Sequence, residues 1–439
     1  MALLAACFRQ TGHSVVLIDN EIENLPVAEL SLKIALKRPR TVILSVCGHN
    51  PSASTQSMAG AVELVEALAL FGIPTVLHGL HPSALPQETM IQTGVSGIIV
   101  GEGFDVIKKD EALEGIMNTQ ELADLDTLPF PAWDLLPIKK YRAHNWHCFG
   151  NINSRTPYGI VYSSLGCPNN CSFCVIHTMF KNSRMVRFRH PKLFADDVFW
   201  WIKQGVTNIR IVDENFTLHK KHVSDICSAL KAKARDEQFD LDKLNMWAYA
   251  SVSTVDKPML ANMSSVGIKW LCYGFETGND LIARDCGKTK SAGDWCDRVI
   301  DVATVTYDAG IHILANWMFG FPQEDYFQMQ QTLHLAQFIN AEWANFYCAM
   351  AYPGSRLYDE AKAKGVLLPK KWTEFSQYSS DSLPLPTDHR SGKEVQFFRD
   401  YAFNMYFTNP YYLDMIYNKF GEETTTHIIE MTQTKLERS

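Results

Sequence analysis

The chain has 439 residues, of which 46% are hydrophobic and 20% charged, and its net charge is −7. That length is too great for one ordinary core and suits two or three domains. The composition is globular, and no basic block points to a nucleic-acid or membrane-surface partner.

The opening "MALLAACFRQTGH" predicts a helix. It lacks the basic start and cleavage site of a secretory leader, and no apolar run approaches a membrane span, so a cytoplasmic location is expected. "SVVLID" (14–19), "TVILSV" (41–46), "PTVLHG" (74–79) and "GIIVGEG" (97–103) predict buried strands, with helices between them, notably 54–71 and 82–93. Continuous apolar strands alternating with helices imply a doubly wound parallel sheet covered on both faces. Such folds place a strand ahead of the opening helix, near the sheet centre. The first strand is therefore expected to be missing and the N-terminus incomplete.

Residues 120–140, "QELADLDTLPFPAWDLLPIKK", hold three prolines and no clean period. They predict a linker that packs through Phe130 and Trp133, buried in a joint between domains. From 158 the strand rhythm resumes in "YGIVYSSLG", "NIRIVDENF", "MWAYASVS", "KWLCYGFETG", "HILANWMFGFP" and "EWANFYCAMAYPGS". Six strand–helix units predict a partial TIM-like (βα)6 barrel, with chemistry at the strands' C-terminal ends. The tail is aromatic and helical at its end, consistent with substrate contact or with a packed core. The expected division is a Rossmann-like domain over 1–119, a linker over 120–150, the barrel over 151–365 and a small, mainly helical C-terminal region over 366–439.

Cysteine is used 11 times, singly except in "GCPNNCSFCVIH". The dispersed cysteines and the lack of a leader argue against a disulfide framework. Cys167, Cys171 and Cys174 sit in a Gly/Pro/Asn-rich loop just after the first barrel strand. A zinc knot is one reading, with His177 as fourth ligand. Three thiolates on a [4Fe–4S] cluster with one open iron is the other, and the position after a barrel strand favours it.

"CPNNCSFC" resembles the signature loop of the radical S-adenosylmethionine (SAM) superfamily, and the resemblance continues through "IRIVDENF", "YGFETGN", "NWMFGFPQED" and "AYPGSRLYDEAKAKG". Upstream, "GHSVVLID", "SVCGHNPSAST", "HGLHPSALP" and "IIVGEG" resemble the cobalamin-binding domain that precedes this core in one large, class B methyltransferase-like subgroup. The resemblance implies that Cys167, Cys171 and Cys174 hold the cluster, and that Phe173, Asp213, Glu214, Ser251 and Glu276 meet SAM. Relatives often carry Arg at the position of Ser251. In the upstream domain it implies that Ser45, Gly48, Asn50, Gly79, His81, Gly101 and Glu102 surround the nucleotide tail of cobalamin. The Asp-x-His-x-x-Gly motif that donates a histidine to cobalt is absent from the sequence.

The function so implied is methylation of an unactivated carbon, or phosphorus, in a small-molecule substrate through a 5′-deoxyadenosyl radical and methylcobalamin. An electron donor such as flavodoxin or ferredoxin would serve it. A cobalamin-dependent cyclase, ring-remodelling or oxidative enzyme would use the same cofactor residues. A non-catalytic cobalamin or SAM sensor with a zinc knot is the third possibility.

Overall fold

The computed structural model describes residues 1–47, 53–106, 112–181 and 185–438. Two parallel sheets organise them. The first contains β1 (Val42–Val46), β2 (Thr75–Gly79), β3 (Gly97–Val100) and β4 (Gly115–Asn118), ordered β1-β2-β3-β4. Among the described strands the order has no reversal, so the ligand edge here is set by the strand C-termini alone. Val46, Leu77, Ile98 and Val100 pack under the helix Met58–Ala69 through Met58, Ala61 and Val65. The expected helix over 82–93 is split at Leu85. Pro86 follows it, lacks an N–H and pushes the preceding residue out of helical geometry (φ −128°, ψ 59°).

Residues 14–19 are not a strand. Among the described residues this segment has no ladder partner, and an extended segment without one is not a strand. Val15 and Leu17 instead pack on Ala5, Ala6 and Ala132, and Ile18 packs beside Leu30 and Leu68. The opening helix forms as expected over Ala2–Gln10. Its Leu4 and Cys7 reach across to Leu125, Leu128 and Tyr162. The short strand β4 was not foreseen, because "GIMN" is too brief to show a period.

The second sheet is the open barrel. Its strands are β5 (Tyr158–Val161), β8 (Asn208–Ile211), β9 (Asn245–Ala250), β10 (Ile268–Glu276), β11 (His312–Phe319) and β12 (Trp343–Cys348). All six expected strands are present, all are parallel, and they lie in chain order. A two-residue hairpin, β6 (Ser164–Leu165) with β7 (Arg187–Phe188), interrupts them after β5. Tyr273 hydrogen-bonds Thr306 of the outer helix Trp295–Asp308, so its neighbour Cys272 faces the concave side. On that face Asn316 donates to Cys272 Sγ and Asn345 donates to Asn316.

The linker aromatics are not buried in a joint between domains. Phe130 is 42% exposed and lies against Trp200, while Trp133 lies against Trp201, both on the helix Pro191–Lys203 behind the barrel. A Pro-rich segment without its own ladder docks where a helix offers indole surface. The aromatic tail resolves as packed core. Phe398, Tyr406, Phe407 and Tyr412 are buried against the barrel, and the Tyr406 hydroxyl donates to the Ala341 carbonyl.

Candidate active site

The Cys-bearing loop is an excursion from the β6–β7 hairpin, and its neck is clamped from β8. Asp213, at the β8 exit, is buried and accepts three hydrogen bonds: from the Ser163 N–H (2.7 Å), Ser163 Oγ (2.6 Å) and Ser164 Oγ (2.6 Å). Burial raises its pKa, and these donors oppose the rise. Glu214 accepts the Gly166 N–H at 2.9 Å. Burial, with the Asp213 charge beside it, pushes Glu214 up to about 7. Gly166 has φ +101°, and a Cβ there would lie 2.7 Å from the Met185 carbonyl oxygen, so only glycine fits. The two carboxylates at this strand exit thus aim the residue that precedes Cys167.

Cys167, Cys171 and Cys174 are partly buried free thiols. Burial pushes Cys167 up to about 11 and Cys174 up to about 12, and raises Cys171 as well. The loop therefore holds neutral thiols until metal supplies positive charge and releases the protons. Among the described residues, no group of three or more His, Cys, Asp or Glu converges on a single ion position. His177 is turned away from ligating metal, its Nε2 lying 2.7 Å from the Asn169 carbonyl. Replacing it should therefore leave iron uptake intact. His177→Ala protein, reconstituted anaerobically, should hold as much iron as wild type, and loss of metal would instead mark a fourth protein ligand.

Backbone contacts hold the loop against the rest of the barrel mouth. The Ser172 N–H donates to the Cys286 carbonyl and the Leu357 N–H donates to the Ser172 carbonyl, both at 2.9 Å. Phe173 is half-buried with its ring 5.9 Å from Phe321. Phe321 belongs to a turn in which Glu324, fully buried, accepts the Gly320 and Phe321 N–H groups. Burial pushes Glu324 up to about 8.

Glu276 ends β10 beyond a bulge and has φ +64°, a left-handed conformation that strains a non-glycine residue. Its carboxylate meets Lys288 at 3.2 Å, with both side chains largely buried. Burial raises Glu276 and the ammonium opposes it, while Cys171 and Cys286 are further neighbours of Lys288. A Cβ on Gly274 would overlap both charged groups, so this glycine leaves the room in which the pair crosses the strand. Ser251, at the β9 exit, hydrogen-bonds Ser253 and takes its backbone partner from Thr217.

On the first sheet, Ser45, Gly79 and Gly101 sit at or next to the strand C-termini, as expected. Gly48 and Asn50 lie outside the described residues. His81 is 1% exposed, and its N–H is held by Ser54 Oγ. Its Nδ1 lies 3.3 Å from Thr55 Oγ1, and its Nε2 is buried without a partner. Burial lowers His81 to about 4, so it is a neutral imidazole. An orphaned neutral ring nitrogen at the strand edge fits a ligand that accepts or donates one hydrogen bond.

Glu102, expected on the cobalamin side, has a protein partner at its position after β3. Its carboxylate is taken up by Arg187 of β7: Nη1 reaches Oε2 at 2.9 Å, and Nη2 pairs with Oε1. Arg187 also donates to the Leu122 carbonyl. Its role in the structure is to bolt the first sheet to the Cys-loop hairpin.

Sequence reasoning missed Arg187, Lys288, Ser163 and Ser164. Each is a single polar residue in a short or irregular segment, with no spacing to single it out. The adjacent Asp213 and Glu214 were the available hint that donors must converge on them.

A family profile described as the radical SAM superfamily matches residues 161–336. An uncharacterised methyltransferase of Pyrococcus horikoshii is 25% identical over 398 residues, which is 86% of this chain and 81% of that one. The anaerobic magnesium-protoporphyrin IX monomethyl ester cyclase of Rubrivivax gelatinosus is 26% identical over 391 residues, 82% of this chain and 65% of that one. Among solved structures, TsrM from Kitasatospora setae, a radical SAM methyltransferase with cobalamin and a [4Fe–4S] cluster bound, superposes with a TM-score of 0.65 at 15% identity. That match covers 84% of this chain and 76% of TsrM. With the trio on its loop after the first barrel strand and the profile running from the end of β5 past β11, residues 161–336 carry a radical SAM domain, of the [4Fe–4S] and SAM-dependent kind.

Proposed function

We propose that the protein is a cobalamin-dependent radical SAM methyltransferase acting on a small molecule, at carbon or phosphorus. One observation carries the reading: the C-terminal edge of the first sheet meets the Cys loop directly. Thr178 Oγ1 donates to the Leu80 carbonyl at 3.4 Å, and Lys181 Nζ donates to the Ser83 carbonyl at 3.0 Å. Gly354, past the β12 exit, fits between Ala84 and Thr178, where a side chain would collide with both. Two cofactor edges in contact suit chemistry in which a substrate activated at one is modified from the other.

In this reading Cys167, Cys171 and Cys174 hold the cluster, and Phe173, Ser251 and Glu276 line the SAM side, with Lys288 fixing the Glu276 carboxylate. Asp213 and Glu214 set the loop. Ser45, Gly79, His81 and Gly101 line the cobalamin side, within a division of the chain at 1–119, 120–150, 151–365 and 366–439. When bound, the cluster supplies the electron for SAM cleavage and cobalamin carries the methyl group. The protein's own residues orient both and exclude water through the buried joint. Neither sheet edge stands next to a helix long and apolar enough to cross a membrane, since no helix among the described residues is.

The test is anaerobic reconstitution with iron, sulfide and hydroxocobalamin. One tightly held cobalamin per chain, together with reductive cleavage of SAM to 5′-deoxyadenosine, is expected. Failure to retain cobalamin would overturn the reading. A second reading, cyclisation without methyl transfer, draws support from the Rubrivivax relative, whose match covers 82% of this chain.

A further inference from the structure

The joint contains a cavity of ≈ 280 Å³. One side is the first domain, through Val62, His81 and Leu85, and the other is built by residues beyond the barrel, Pro353, Trp372 and Phe375. The volume falls at or below the low end of small-molecule pockets, roughly 300–1,000 Å³. It suits one appendage of a large ligand rather than a whole macrocycle.

Three observations single out Trp372. Its indole lies edge-on to the His81 ring, with centroids 4.9 Å apart. It packs on the first-sheet core beside Val46, Met58 and Leu77, although it comes from the C-terminal region. Beside it on the cavity wall, His81 Nε2 is buried and has no hydrogen-bond partner. The one-turn helix Trp372–Phe375 is also tethered: Glu374 accepts the Lys370 and Lys371 N–H groups, and Leu383 donates back to the Glu374 carbonyl. An aromatic wall, an orphaned imidazole nitrogen and a tethered backbone make a built site for a planar heteroaromatic group with polar substituents.

We propose that Trp372 is a cobalamin-binding residue supplied by the C-terminal region. Its indole closes the cavity over the nucleotide end of cobalamin while His81 Nε2 makes the hydrogen bond it now lacks. This rests on the cobalamin reading above. It adds a third wall that neither the first sheet nor the barrel contributes.

The probe is hydroxocobalamin, titrated anaerobically into the full-length, iron-loaded protein. Trp372→Ala should weaken binding by about tenfold, the factor expected for a lost aromatic stacking contact, and Trp372→Phe by less than about threefold. Iron content should be unchanged in both. In wild type, hydrogen exchange of residues 366–375 should slow when cobalamin binds. That measurement decides the matter even if Trp372→Ala does not fold. Wild-type affinity in Trp372→Ala, or unaltered exchange of 366–375 in cobalamin-loaded wild type, overturns the proposal and leaves the cobalamin reading standing. A wild-type protein that binds no hydroxocobalamin overturns both.

Discussion

Replacing Cys167, Cys171 and Cys174 together by Ala should abolish iron binding and every product that depends on it. Anaerobically reconstituted wild type should carry about four irons per chain, with the broad visible absorption of thiolate-bound iron. The triple variant should carry none and should form no 5′-deoxyadenosine. Its fold should persist, because the loop is held by Asp213, Glu214 and the Ser172 backbone pairings rather than by the thiols. Stoichiometric zinc without iron uptake in wild type would contradict the assignment.

The second large effect is on stability. Arg187 and Glu102 are 7% and 2% exposed and join the first sheet to the hairpin that carries the Cys loop. Breaking such a buried pair from one side strands the other charge and costs about 3–5 kcal/mol. Arg187→Ala should therefore lower the denaturation midpoint sharply and loosen the cluster with it. Arg187→Met combined with Glu102→Leu removes both charges and refills the space, so most of the loss should return. Chemical denaturation of the wild type, Arg187→Ala and the double variant measures this. A double variant as unstable as Arg187→Ala would show that shape at the joint, not the stranded charge, sets the cost.

The barrel was legible because its strands are continuous apolar runs whose exits carry Gly, Cys and carboxylates together. The trio was legible because three cysteines so close have few chemical explanations. Residues 14–19 have the same apolar look, but a strand is defined by its partner, and partners are not written in the segment itself. The hairpin β6–β7 contributes only two residues per strand, too few for any period, so the clamp around Gly166 stayed hidden. Glu102 illustrates a further limit. Its position at a strand exit was legible, but its commitment to Arg187 depends on a residue 85 positions away. Lys288 was likewise one of two lysines in "CGKTK", with nothing to choose between them until the fold brought it to Glu276.

The central claim is that this chain moves the methyl group of SAM by way of cobalamin as well as cleaving SAM reductively. The most direct test is anaerobic incubation of the iron- and cobalamin-loaded protein with a low-potential reductant and SAM labelled in its methyl group. No other substrate is required. The account predicts S-adenosylhomocysteine in an amount equal to the bound cobalamin, with the label recovered on that cobalamin, alongside 5′-deoxyadenosine. If 5′-deoxyadenosine forms while S-adenosylhomocysteine and labelled cobalamin do not, the methyltransferase reading is contradicted and the cyclase-type chemistry takes its place.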